Sequence, residues 1–247
     1  MTTKNTTGLF SRSDAHDGHG SRTPGEIAFS FLFGGIQWPW LLKSLHGGSK
    51  ASKQALLARL GLPENALPHL GSWKADTYFL HRIVDSIEAL RPAHVVELGS
   101  GASSLVIAKA LSLFGGGTLT SYDQHSAFID RMPAWLDEHG LTANFQHAPL
   151  TQRDPRWPGV WYDVTSLPSW IDMLVIDGPP WTVHPFVRGM AERLFDRIPV
   201  GGMVLLDDAA RPGERIVERR WRRNWPGFEF ALETGGTAGT LVGRRLA

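Results

Sequence analysis

His94-Val95-Val96-Glu97-Leu98-Gly99-Ser100-Gly101-Ala102-Ser103-Ser104 is an apolar run that ends in an acidic residue, breaks into Gly-x-Gly and passes into a helical pattern. It reads as a strand, a tight turn and the start of a helix. Glycine suits such a turn because it reaches φ > 0 and carries no Cβ, so the backbone can approach a ligand closely. The helix that follows offers unpaired N–H groups at its N-terminus, where a nucleotide-like ligand is favoured. Every α/β protein needs strand-to-helix turns, so Gly-x-Gly alone leaves the ligand open. A dinucleotide fingerprint would put a third glycine where Ser104 stands and its acidic residue about 20 positions further on. Here Glu97 sits inside the strand end instead.

Outward from this turn, strand and helix signals alternate. Apolar residues at helical spacing predict a helix from Lys74 to Leu90, closed by Arg91-Pro92. After the strand at His94 to Leu98, the pattern predicts a helix from Ser103 to Phe114, a strand from Thr118 to Tyr122 and a helix from Ala127 to His139. A short strand at Asn144 to His147 and a long loop follow, then a strand at Met173 to Ile176, a helix near Pro185 to Arg197 and a strand at Met203 to Leu206. Such alternation argues for an α/β fold with a mainly parallel sheet covered by helices on both faces. A helix from Gly213 to Arg223 then leads to Glu229-Phe-Ala-Leu-Glu233 and Thr240-Leu-Val-Gly243, two strands of a hairpin.

Glu97-Leu98-Gly99-Ser100-Gly101 resembles the first motif of class I S-adenosylmethionine-dependent methyltransferases. Further matches follow in that family's order: Leu119-Thr-Ser-Tyr-Asp123, Asp172-Met-Leu-Val-Ile-Asp177-Gly-Pro-Pro and Gly201-Gly-Met-Val-Leu-Leu-Asp207-Asp208. The resemblance implies a Rossmann-like, doubly wound, mainly parallel seven-stranded sheet whose sixth and seventh strands form the antiparallel hairpin. It also implies an S-adenosylmethionine site made by Glu97, Gly99, Ser100, Gly101, Ser103, Ser104, Asp123 and Gln124, with Asp177 at its edge. Asp123 would accept hydrogen bonds from the two ribose hydroxyls, although an Asp there could also cap the following helix.

Asp177, Asp207 and Asp208 end two strands, and ligands collect outside the carboxyl ends of strands in an open α/β sheet. Clustered carboxylates repel unless a cation or proton joins them, and hard oxygen ligands suit Mg²⁺ or Ca²⁺. The set resembles the catechol- and macrocin-type O-methyltransferases, which implies a divalent ion on Asp177, Asp207 and Asp208 that orients the acceptor hydroxyl and lowers its pKa. The alternative is a helix cap at the pair and a cofactor or substrate contact at Asp177. One departure matters: the general-base Lys or His of those families is replaced here by Pro180. His184, in the same loop, becomes the candidate base, with Asp177 as a catalytic carboxylate; the alternatives are a solvated or structural His184, with base catalysis from a metal-bound carboxylate or the substrate's own acidity.

At 247 residues the chain allows one large domain with an extension, and its formal charge of +1 gives no reason to expect a nucleic-acid partner. The run Arg219-Arg220-Trp221-Arg222-Arg223 accordingly reads as a solvated amphipathic helix, and Arg211 with Glu214 as a local ion pair. The absence of cysteine excludes disulfides and thiolate chemistry and suits a reducing cytoplasm, the expected location. Residues 1–26 are expected to be a flexible tail without a secretory signal, 27–72 a helical extension, and 73–247 the methyltransferase domain. Ile27 to Leu42 is apolar but interrupted by Gly34-Gly35, Gln37 and Pro39, too short a run to span a membrane. It is expected to be buried against the domain; an interfacial anchor, a partner-binding surface or an oligomer contact is the alternative. Trp73, Trp157, Trp161 and Trp181 fall in loops that could wall a pocket for an aromatic or sugar-like hydroxyl acceptor. The function so read is methyl transfer to a small molecule; the rivals are a nicotinamide-dependent oxidoreductase and a non-catalytic binding or membrane-surface module of the same fold.

Overall fold

The computed structural model describes residues 24–67, 69–71 and 75–247. Most of the tail expected over 1–26, and Trp73, lie outside those residues. The chain enters through helix α1 (Pro24–Ser44), so Pro24, Gly25 and Glu26 belong to a helix rather than to a tail. Helices α2 (Lys50–Leu60) and α3 (Thr77–Leu90) follow. Asp76 starts α3 by accepting the Phe79 N–H at 2.9 Å, and its second oxygen accepts the Thr237 hydroxyl at 2.8 Å, which ties the helix start to the far end of the chain.

The central units are β1 (His94–Leu98), α4 (Ala102–Phe114), β2 (Thr118–Asp123), α5 (Ser126–Ile129), α6 (Met132–Asp137), β3 (Asn144–His147), β6 (Met173–Ile176) and β7 (Met203–Leu206). The residues of β6 are all buried and those of β1 nearly so, the composition of parallel strands covered on both faces. Helix α7 (Pro212–Asn224) and strands β8 (Phe228–Glu233) and β9 (Thr240–Arg245) complete the chain. The seven-stranded sheet runs β3-β2-β1-β6-β7-β9-β8, parallel except at the β7–β9 and β8–β9 pairs. This is the Rossmann-like sheet with a closing hairpin that the sequence predicts. Leu98 pairs with Tyr122 and Ile176, and Ile176 with Leu206, so the carboxyl ends of four strands lie level along one edge. One core layer joins Leu56, Leu60, Phe79, Ile83 and Leu105 from α2, α3 and α4; the other gathers Phe195, Trp221 and Phe230.

Four local expectations fail. The loop expected after β3 contains an antiparallel hairpin, β4 (Leu150–Asp154) and β5 (Trp157–Tyr162), with two register shifts. Pro158 and Gly159 read as breakers, but the irregular ladder tolerates them. The helix expected from Ala127 to His139 is split into α5 and α6, and Pro133 sits near the start of α6, where its missing N–H costs no helical bond. The helix near Pro185 is a 3₁₀ run, Val187–Arg197. Finally, α1 is not buried: Phe31 is 86 % exposed, Leu32 76 % and Trp38 62 %, while its buried residues are the polar Ser30, Gln37 and Ser44. Helix α1 touches the body through Phe29 and Phe33, whose rings meet Phe186 at centroid distances of 5.7 and 5.3 Å. Among the described residues no helix is long and apolar enough to cross a membrane.

Candidate active site

Gly99 begins the turn after β1 with φ 97°, and a Cβ there would lie 2.7 Å from the Gly178 nitrogen and 2.9 Å from the Asp177 carbonyl carbon. Only glycine lets the turns after β1 and β6 come so close. Two backbone bonds hold the junction: Gly99 N–H donates to Tyr122 O and Asp177 N–H to Leu98 O, each at 2.8 Å.

Glu97 lies fully buried beneath this turn, and its Oε2 accepts from the Ser104 and Ser121 hydroxyls, both at 2.5 Å. The Ser104 Oγ in turn accepts the Gly101 N–H at 3.0 Å. A serine at position 104 therefore links the strand carboxylate to the turn, which a third glycine could not do. Burial pushes Glu97 up to about 7, against the pull of the serine hydroxyls, and its Oε1 has no partner among the described residues.

At the end of β2, Asp123 accepts the Ser100 N–H at 3.1 Å through Oδ2 and the His125 N–H at 2.8 Å through Oδ1. Burial raises it to about 7 although these backbone donors favour its charged form. Ser100 Oγ lies 2.7 Å from Ser121 Oγ, Ser103 is buried at the start of α4, and Gln124 is buried beside Asp123 with its side-chain oxygen unpartnered. Glu97, Gly99, Ser100, Gly101, Ser103, Ser104, Asp123 and Gln124 thus surround one turn.

Asp177, Asp207 and Asp208 also come together, each offering an oxygen within 4.8 Å of the others. Arg188, from the 3₁₀ run, is buried among them. Its Nη2 donates to Asp177 O at 2.6 Å and to Asp177 Oδ1 at 3.2 Å; its Nη1 donates to Asp208 Oδ2 at 3.1 Å and to Asp207 O at 3.2 Å; its Nε donates to Pro179 O at 3.2 Å. Arg211 pairs with Asp208 Oδ1 at 2.7 Å rather than with Glu214. Asp208 holds φ 60°, a left-handed conformation that Asp tolerates better than most residues. Burial, first of all, and the neighbouring carboxylates lift Asp207 well above the usual carboxylate range. Burial also lifts Asp177 to about 7, with Arg188 pulling the other way. Sequence reading missed Arg188, since an arginine within a helical pattern carries no mark of the pair it will form.

His184 is buried, with its ring stacked on Phe29 at 5.3 Å and its Nδ1 accepting the Phe186 N–H at 3.2 Å. Its Nδ1 is thus engaged within its own loop. Trp157 and Trp161 are buried in the body; the Trp157 Nε1 donates to Glu192 at 2.8 Å and Arg220 covers its ring at 4.1 Å. They are packing residues. Trp181 abuts Gly34 of α1. Tyr162, absent from the sequence-based candidates, is buried with its hydroxyl unpartnered among the described residues, where a Cβ on Gly178 would lie.

A family model described as a methyltransferase domain matches residues 96–209. No curated protein sequence gives a significant match. Among solved structures, a methyltransferase from Geobacter sulfurreducens is 18 % identical with a TM-score of 0.50, over 80 % of this chain and 87 % of that one. The SAH-bound methyltransferase PaMTH1 of Podospora anserina is 12 % identical with a TM-score of 0.53, over 92 % and 100 %. An O-methyltransferase from Bacillus cereus in complex with SAH is 11 % identical with a TM-score of 0.51, over 90 % and 98 %. At such identities the likeness speaks for the fold.

Proposed function

We propose that this chain, whose residues 96–209 match a family model described as a methyltransferase domain, is a class I S-adenosylmethionine-dependent methyltransferase that methylates a hydroxyl group of a small molecule. The observation that carries the reading is the connected set Glu97–Ser104–Gly101 and Ser100–Asp123, a glycine turn fastened from below by one buried carboxylate and from the side by another. Each Asp123 oxygen carries one backbone donor and retains acceptor capacity for the ribose hydroxyls. Glu97 fixes the turn and, through its unpartnered Oε1, can receive a donor from the amino-acid end of the cofactor.

When bound, S-adenosylmethionine supplies an electrophilic methyl group on a sulfonium, which an acceptor oxygen attacks in line. The protein's main contribution is to hold donor and acceptor in that alignment. The hydroxyl proton must leave as the oxygen–carbon bond forms, and we assign its receipt to Asp177, whose carboxylate stands at the strand edge beside the cofactor turn. A pKa of about 7 suits a general base at neutral pH.

Calorimetry with S-adenosylhomocysteine and with NAD tests the first half of the reading: binding of the former alone is expected, and binding of NAD alone overturns it. A panel of phenolic and sugar hydroxyl acceptors, followed by mass spectrometry, tests the second half. Cofactor binding with no turnover on any acceptor class would favour a non-catalytic binding module.

A further inference from the structure

We infer that the cation serving the Asp177–Asp207–Asp208 cluster is the guanidinium of Arg188, and that the folded chain binds no divalent metal there. The inference concerns cation binding by the protein itself and stands apart from the methyl-transfer reading.

Three carboxylates within reach of one point call for a cation or protons, and a divalent ion on oxygen ligands is a common supplier of the charge. In this chain the point is taken. Arg188 enters from the 3₁₀ run and spreads its donors over the set: Nη2 to Asp177 Oδ1, Nη1 to Asp208 Oδ2, and the remaining bonds to the carbonyls of Asp177, Pro179 and Asp207. The planar fork matches this spread, which a point charge such as lysine could not. Asp208 has its second oxygen on Arg211, so both of its oxygens are engaged by arginine. Asp207 Oδ1 accepts the Asp208 N–H at 2.8 Å. A metal on these carboxylates would compete for the two that Arg188 holds, Asp177 Oδ1 and Asp208 Oδ2, while the guanidinium stays fixed beside it by the carbonyls of Asp177, Pro179 and Asp207, so a second positive charge would be placed against a buried one. The carboxylates are therefore arranged as partners of arginine and not as ligands for a bare divalent ion.

Arg188 is then a positioning residue for Asp177. Its Nη2 holds Asp177 Oδ1 at 3.2 Å and the Asp177 carbonyl at 2.6 Å, which fixes the carboxylate against the strand end.

Mn²⁺ titration followed by electron paramagnetic resonance reads the site without any methyl donor. The wild-type protein should show no saturable Mn²⁺ binding at millimolar concentration, and magnesium should leave its thermal midpoint unchanged. Removing the internal cation with Arg188→Met should create a Mn²⁺ site, one that Arg188→Met combined with Asp208→Asn loses again. Stoichiometric Mn²⁺ binding by the wild type that Asp177→Asn abolishes would overturn the inference, as would a folded Arg188→Met protein that gains no Mn²⁺ site. Should Arg188→Met fail to fold, the wild-type titration decides alone. Once an acceptor is known, turnover in EDTA should equal turnover in magnesium; failure to find any acceptor would count against the methyl-transfer reading and leave the Mn²⁺ result standing.

Discussion

At the scale of single residues, the weight falls on carboxylates that burial holds near neutrality. Asp123→Ala should weaken S-adenosylhomocysteine binding by about 1–3 kcal/mol, the cost of losing a charge-assisted acceptor, with the fold preserved. Calorimetry on a variant with a native circular dichroism spectrum checks it, and unchanged affinity would remove Asp123 from the ribose role. Asp123 and Glu97 were legible in the sequence because each ends an apolar run next to a turn, a position with few physical meanings. Arg188 was not, because its partners lie 11 and 20 residues away and meet it only when the 3₁₀ run folds across the ends of β6 and β7. His184 was singled out by its intrinsic pKa, a property of the residue type, whereas its hydrogen bond to the Phe186 amide is a property of the loop.

Between elements, the contrast lies between α2, locked into the core, and α1, laid over the surface. Leu56 is fully buried in α2, so Leu56→Ala should lower stability by about 2–5 kcal/mol as transfer and cavity terms add. Phe31→Ser on α1 removes a larger side chain yet should stay within about 0.5 kcal/mol, since an exposed ring loses little on truncation. Urea unfolding of the two variants measures the difference, and comparable losses would mean that α1 is packed more tightly than its exposure shows. Strands β1, β6 and β7 could be read from sequence because full burial demands continuous apolar runs. The β4–β5 hairpin could not: Gln152-Arg153-Asp154 is polar, and Pro158-Gly159 suppresses the strand signal that Val160 and Trp161 would otherwise give.

For the molecule as a whole, four raised carboxylates share a direction. Glu97, Asp123, Asp177 and Glu214 each rise to about 7, chiefly through burial. Between their ordinary values near 4 and about 7, the folded state binds more protons than the unfolded state, so their contribution to stability is greatest at the acid end and is lost as pH rises through about 7. The ligand-free protein should therefore melt at a higher temperature at pH 5.5 than at pH 8, by scanning calorimetry. A midpoint that climbs over that interval would show these groups already ionised at the acid end. The overall topology was legible because alternation of strand and helix leaves few sheets to choose from. The side of the molecule covered by α1 was not, since its apolar content suggested an interior position.

That helix buries polar groups and exposes apolar ones. Ser30 and Gln37 are buried with side-chain atoms that find no partner among the described residues, while Phe31, Leu32 and Trp38 face water and Phe29 and Phe33 rest on Phe186. Each such amide or hydroxyl would be better served by solvent, by about 1–3 kcal/mol, so the seat of α1 resists lifting only weakly. Brief detachment should be frequent compared with opening of the core. In deuterium, the backbone amides of α1 should accordingly exchange well before those of α3, whose buried face carries Phe79, Leu80, Ile83 and Ile87. Equal protection of the two helices would mean that α1 opens only when the whole protein does.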